Sequence, residues 1–164
     1  MTKIIRSAFY LLLFITPLLW TPVNSELFEY NKMMFVYVIT ILVASAWLIE
    51  MITARRLIFS STPLDLPLLL FLTANVLSTI FSIDPHTSIW GYYSRSNGGL
   101  LSTLSYITLY YALVSHFTAK DLPRLFKALL GGGLLVSLWA IPEHFGISPS
   151  CIFLTGQFTA DCWV

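Results

Sequence analysis

The chain has 164 residues, 57% of them hydrophobic and only 10% charged, with a formal net charge of +1. A soluble domain carries roughly 25% charged residues, so this composition argues against one and for a membrane protein. So small a net charge, with no run of Lys or Arg to neutralise a row of phosphates, gives nucleic acid no support as a partner.

Five apolar segments follow one another, at 4–20, 33–49, 64–83, 100–117 and 125–141. Each approaches the ~17 to 25 residues that a helix needs to cross about 30 Å of hydrocarbon. Charges keep to their ends, at Arg6, Asp65 and Lys127. Five such helices leave almost no amphipathic element to cover them in water. The predicted fold class is therefore all-α: a polytopic helical membrane protein with five transmembrane helices over 1–141 and a tail over 142–164. The first segment follows Lys3 and Arg6 as a signal peptide would, but Trp20 and Pro22 stand where a signal peptidase needs small residues. An uncleaved first span is expected.

Positive charge sets the expected orientation. With the N-terminus in the cytoplasm, the inner segments collect Lys3, Arg6, Arg55, Arg56, Lys120, Arg124 and Lys127, and the outer ones only Lys32 and Arg95. Short loops rich in Lys and Arg stay cytoplasmic, which predicts a cytoplasmic N-terminus and an extracytoplasmic C-terminus. Trp20, Trp90, Tyr92, Tyr93 and Trp139 then fall near span ends, where amphipathic rings prefer the headgroup zone.

Local signals agree with these boundaries. Thr62 or Asp65 can cap the third span, and Asp121 before Pro123 repeats the device ahead of the fifth. Ser82-Ile83-Asp84-Pro85 stops the third span, because the residue before proline disfavours helix. Asn75, Ser78 and Thr79 make a polar face on the third span, and Ser102, Ser105 and Thr108 make another on the fourth. These rows are expected to face each other as packing contacts. Gly131, Gly132 and Gly133 lack the Lys-Ser/Thr sequel of a phosphate loop, so close helix approach or a kink is expected there.

No sequence spacing suits a metal, a cofactor or a catalytic triad, and His86, His116 and His144 are scattered. Cys151 and Cys162 both lie in the tail, outside on this orientation, where a disulfide between them could persist.

The outer loop GYYSRSNGGLL has one cation, Arg95, framed by Trp90, Gly91, Tyr92 and Tyr93 before it and by Asn97, Gly98 and Gly99 after it. The glycines permit positive φ and a tight turn into the fourth span. A guanidinium held at headgroup level suits phosphate oxygens. It can grip ordinary lipid phosphate by snorkelling, or it can bind a diphosphate-bearing lipid.

Three stretches carry a resemblance: SELFEYNKMMFVY, TPLDLPLLLFL and SIDPHTSIWGYYSRSNGGLLSTLSYITLYY. Their most specific piece is the order Ser82, Asp84, Pro85, Trp90, Gly91, Arg95, Gly98. In these residues, from about 25 to 111, the chain resembles the N-terminal part of the O-antigen ligase and polymerase family of bacterial inner-membrane proteins. The resemblance implies transfer of a glycan from a polyprenyl diphosphate carrier to an acceptor hydroxyl at the outer face of the cytoplasmic membrane, without a metal. It further implies arginines on the diphosphate and a histidine base in a later outer loop. Arg95 could supply the first, and nothing in this chain supplies the second. Family members have about twice as many spans, so the chain is expected to be the N-terminal part of a longer protein whose further C-terminal helices are its partners. On its own it should not turn over substrate. The alternative is a non-enzymatic helical module, part of a transporter or flippase or a scaffold.

Overall fold

The computed structural model describes residues 1–20 and 29–147, together with Cys151 and Gly156. Every regular element of appreciable length among them is helical: α1 (Thr2–Leu18), α2 (Glu29–Ala54), α3 (Asp65–Ile80), α4 (Pro85–Trp90), α5 (Leu100–His116) and α6 (Leu122–His144). The all-α expectation holds. Five of these helices match the five apolar segments, with ends shifted by a few residues and α2 extended at both ends.

Among the described residues two helices, α2 and α6, are long and apolar enough to cross a membrane. Only 22% of the most apolar stretch of α2 and 11% of that of α6 are buried within the fold, whereas the core helix of a protein in water would be mostly buried. α3 has no buried residue at all, and Leu66, Leu69, Leu70 and Phe71 on it are exposed.

The element not expected is α4. Asp84 and Pro85 do stop α3, and they also start a new helix, because Pro85 sits in its first turn and the Asp84 carboxylate accepts the Thr87 N–H. Proline costs little there, where its missing N–H would have had no helical partner.

α1 packs between α2 and α6, α5 packs on α2 and α1, and α3 and α4 attach through α5. The core lies where α1, α2 and α5 meet, built from Ile5, Phe9, Val43, Trp47, Leu109 and Ala112, with Leu125 of α6. α6 reaches α1 closely at Gly132, where an added Cβ would stand 2.6 Å from the Phe14 carbonyl oxygen. Close approach, rather than a kink, is the reason for glycine at 132. Gly133 faces open space.

α3 and α5 do pack together, but their polar rows are not joined by hydrogen bonds among the described residues. Thr79, Asn75, Ser105 and Thr108 each donate to the carbonyl four residues back on their own helix. An intrahelical bond satisfies such a group without a partner helix.

The start of α1 lies beside the ends of α2 and α5, and the start of α6 joins them. The bundle therefore has two distinct ends. One carries α1's N-terminus, the α2–α3 connection and the α5–α6 connection; the other carries α4 and the turn 91–99.

Candidate functional site

The turn 91–99 is closed by its own backbone. Tyr92 N–H donates to the Asn97 carbonyl at 3.0 Å, and the N–H groups of Arg95 and Ser96 both donate to the Tyr92 carbonyl. Gly91 and Gly98 have φ of 87° and 85°, and Ser96 has φ of 49°. Gly99 does not use positive φ; it is glycine because a Cβ would collide with the backbone of Ile89 and Gly91. A Cβ on Gly91 would strike the backbone of Asn97. The glycine expectation is thus right for Gly98 and needs a different cause at Gly99, namely contact between two backbone segments.

Neighbouring helices fix this turn in space. Tyr37 of α2 donates to the Ser96 carbonyl at 2.8 Å, and Tyr106 of α5 lies within hydrogen-bonding distance of both Asn97 Oδ1 and Met33 Sδ. Ser102, buried in the first turn of α5, accepts the Gly98 N–H at 3.1 Å and donates to the Gly99 carbonyl. At the start of α4, Asp84 accepts from both the hydroxyl and the N–H of Thr87, which hold its carboxyl below the usual carboxylate range.

Arg95 projects from this frame with its side chain 52% exposed. Its Nε lies 3.1 Å from Glu29 Oε2 at the start of α2, and its guanidinium carbon stands 5.9 Å from the Tyr92 ring centre. An open depression of about 410 Å³ is lined by Glu29, Tyr92, Arg95, Asn97 and Gly98. Of the residues singled out in the sequence, the structure brings Tyr92, Arg95, Asn97 and Gly98 to one surface. Trp90 and Tyr93 are exposed beside it, and Gly91 acts as the hinge of the turn. Glu29 was not foreseen: its link to Arg95 joins residues far apart in the chain, and no spacing signals it. Cys151 is buried and is not a free thiol; the expected pairing with Cys162 falls outside the described residues.

The opposite end holds a second polar cluster that sequence reasoning missed. Arg6 of α1 donates through Nε and Nη2 to the His116 carbonyl at 3.0 and 2.8 Å and pairs with Asp121 at 3.3 Å. Glu50 accepts the Thr2 hydroxyl at 2.7 Å and faces His116 Nε2 at 3.6 Å, while His116 Nδ1 lies 2.8 Å from the Ala112 carbonyl. Neither Asp65 nor Asp121 caps its helix with a side-chain bond in the expected way. Each instead reaches back three residues, Asp65 to Thr62 and Asp121 to Thr118, accepting from the N–H and the hydroxyl. The Thr118 backbone and hydroxyl, with Arg6 and Arg124 nearby, hold the Asp121 carboxyl below its ordinary range. Among the described residues no group of three or more His, Cys, Asp or Glu is arranged to hold a metal ion.

No protein-family model matches the chain, and no curated protein or solved structure matches it. The resemblance to O-antigen ligases therefore rests only on the sequence stretches between about 25 and 111.

Proposed function

We propose that this chain is the N-terminal, five-span part of an O-antigen ligase-like protein of the bacterial inner membrane, and that Arg95 binds the diphosphate of a polyprenyl-linked glycan at the outer face. The observation that carries this reading is a half-exposed guanidinium on a turn held by α2, α5 and its own glycines, beside an open depression. A leaving diphosphate requires charge held in place before reaction, and a fixed turn supplies that without reorganisation. The acceptor hydroxyl would be activated by a base that this chain does not contribute.

The segregation of cations supports the membrane placement. Every Lys and Arg other than Lys32 and Arg95 belongs to the end with α1's N-terminus, as expected for a cytoplasmic face. α1, α3 and α5, with 17, 16 and 17 residues, complete the five spans when their apolar flanks are counted. The exposed leucines and phenylalanines of α3 suit lipid or a further helix.

The test is binding of a polyprenyl diphosphate to the full chain in lipid nanodiscs. Arg95→Ala should weaken binding by at least about tenfold, the size of one charge-assisted contact. Equal binding by the variant would sink the assignment of Arg95. That result would favour the non-enzymatic helical module.

A further inference from the structure

A depression of about 410 Å³ lies where α2 ends, far from the turn 91–99, and its walls are Leu48, Met51, Ile52, Arg55, Arg56 and Leu57. Arg55 follows the last residue of α2 with φ of 50°, the left-handed conformation that glycine or asparagine ordinarily supplies at a helix C-terminus and that a long side chain disfavours. The chain beyond is fixed: the Ile58 carbonyl accepts the Trp47 indole N–H at 2.9 Å, and Ser60 N–H donates to the Ser115 hydroxyl at 3.2 Å. Arg6 at the same end is bonded within the fold. Among the described residues the exposed side chains of Arg55 and Arg56 have neither an ion pair nor a hydrogen bond. No carboxylate lines the depression, and Leu48, Ile52 and Leu57 on its walls are 56%, 75% and 88% exposed. From Leu48 to Arg55 the chain rises by about 10 Å, less than the ~15 Å of hydrocarbon in one leaflet.

We propose that this depression binds one anionic phospholipid of the phosphatidylglycerol type, with its phosphate at Arg55 and Arg56 and an acyl chain along Leu48 and Ile52. This inference rests on the membrane placement given above but not on the glycan chemistry assigned to Arg95. Two guanidinium groups with no carboxylate beside them suit a headgroup of net negative charge and repel the amine of a zwitterionic one. A soluble phosphate would answer the charges and leave the leucines and isoleucine in water, whereas a lipid answers both. A backbone conformation that costs more with arginine than with glycine fits a position kept for its side chain.

The experiment is native mass spectrometry of the full chain released from nanodiscs that hold phosphatidylglycerol and phosphatidylethanolamine in equal amounts. The wild-type chain should retain one phosphatidylglycerol in at least about tenfold preference, each arginine contributing about fivefold. The double variant Arg55→Gln with Arg56→Gln should abolish the preference. Lys120→Gln with Lys127→Gln, at the same end but outside the depression, should keep it. Arg55→Gly is the sharper variant, because glycine accepts φ of 50°. Its unfolding midpoint should be no lower than that of the wild-type chain, while its preference falls by about fivefold. Polyprenyl diphosphate binding, measured on the same preparations, should be unchanged in all of these variants, which separates this site from Arg95. Equal retention of the two lipids by the wild-type chain, or an equal loss of preference in the lysine variant, would overturn this site alone. A chain that does not stay in nanodiscs would overturn the membrane placement and this site with it.

Discussion

The two ends of the bundle use their charges in opposite ways. At the end with α1's N-terminus, Arg6 is bonded to the His116 carbonyl and to Asp121, and Glu50 lies between Thr2 and His116. Trp47 adds a bond to the Ile58 carbonyl at 2.9 Å and stacks on Phe59, which stacks on Tyr111, so the α2–α3 connection is bound down as well. At the other end the turn 91–99 is held by its own backbone bonds and by Tyr37, Tyr106 and Ser102, and Arg95 and Glu29 face outward. Arg95 and Glu29 are each about half exposed, at 52% and 50%, whereas the His116 side chain is 2% exposed. Polar groups that are bonded and buried specify a fold, while exposed charge on a rigid frame is available to a ligand.

The largest effect that would break this comparison should come from His116→Ala. It removes a buried ring packed edge-on against Trp47 at 5.8 Å and leaves Glu50 facing a void. A loss of about 2 to 4 kcal/mol is expected from the cavity left by the buried ring. Reversible unfolding in mixed micelles, followed by tryptophan fluorescence, measures it. A change no larger than that of an exposed substitution would mean that this end is not the fastened one.

Next in size is Gly91→Ala at the turn. The new methyl would meet the Asn97 backbone, and the residue would keep a φ of 87° that alanine disfavours. About 1 to 3 kcal/mol of strain is expected, relieved by opening the turn. Amide exchange should therefore quicken at Tyr92, Arg95 and Ser96 while the core of α1, α2 and α5 stays protected. Uniform loss of protection across the bundle would show that the turn is not an independent unit.

The contrast between the ends also marks what could be seen in the sequence. The five long helices were legible because uninterrupted apolar runs outweigh every other signal, and their boundaries shifted by a few residues, most at α2, which runs further at both ends. The six residues of α4 were not legible as a helix, since Asp84-Pro85 reads equally as a stop and as a start. Arg95 stood out as a lone cation among tyrosines and glycines. The cluster around Arg6 did not, because Arg6 and the His116 carbonyl it binds are 110 residues apart and each residue alone looks like an ordinary span end. Glu29 was overlooked for the same reason.

A smaller effect should appear with acid at the fastened end. The Asp121 carboxyl is held below its ordinary value in the folded chain, so its contribution is complete above the unfolded value of about 3.9 and disappears as pH falls through the lower folded value. The wild-type chain should therefore lose stability on going from about pH 6 toward pH 3 more steeply than Asp121→Asn. Identical slopes would mean that Thr118 and Arg6 do not depend on the charge of Asp121.

The smallest change in stability, and the sharpest distinction in binding, is expected from Glu29→Gln. An exposed ion pair contributes about 0 to 1 kcal/mol, so folding should hardly respond. The guanidinium, however, has one carboxylate 3.1 Å from Nε, and a phosphate arriving at the depression must compete with it. Removing that negative charge leaves the turn intact, because the bonds from Tyr37, Tyr106 and Ser102 do not involve Glu29. Polyprenyl diphosphate should then bind more tightly to Glu29→Gln than to the wild-type chain, and Arg95→Ala should erase the gain. If Glu29→Gln instead weakened binding, the carboxylate would be orienting Arg95 toward the ligand rather than competing for it, and the outward-facing charge at this end would be a preorganised pair.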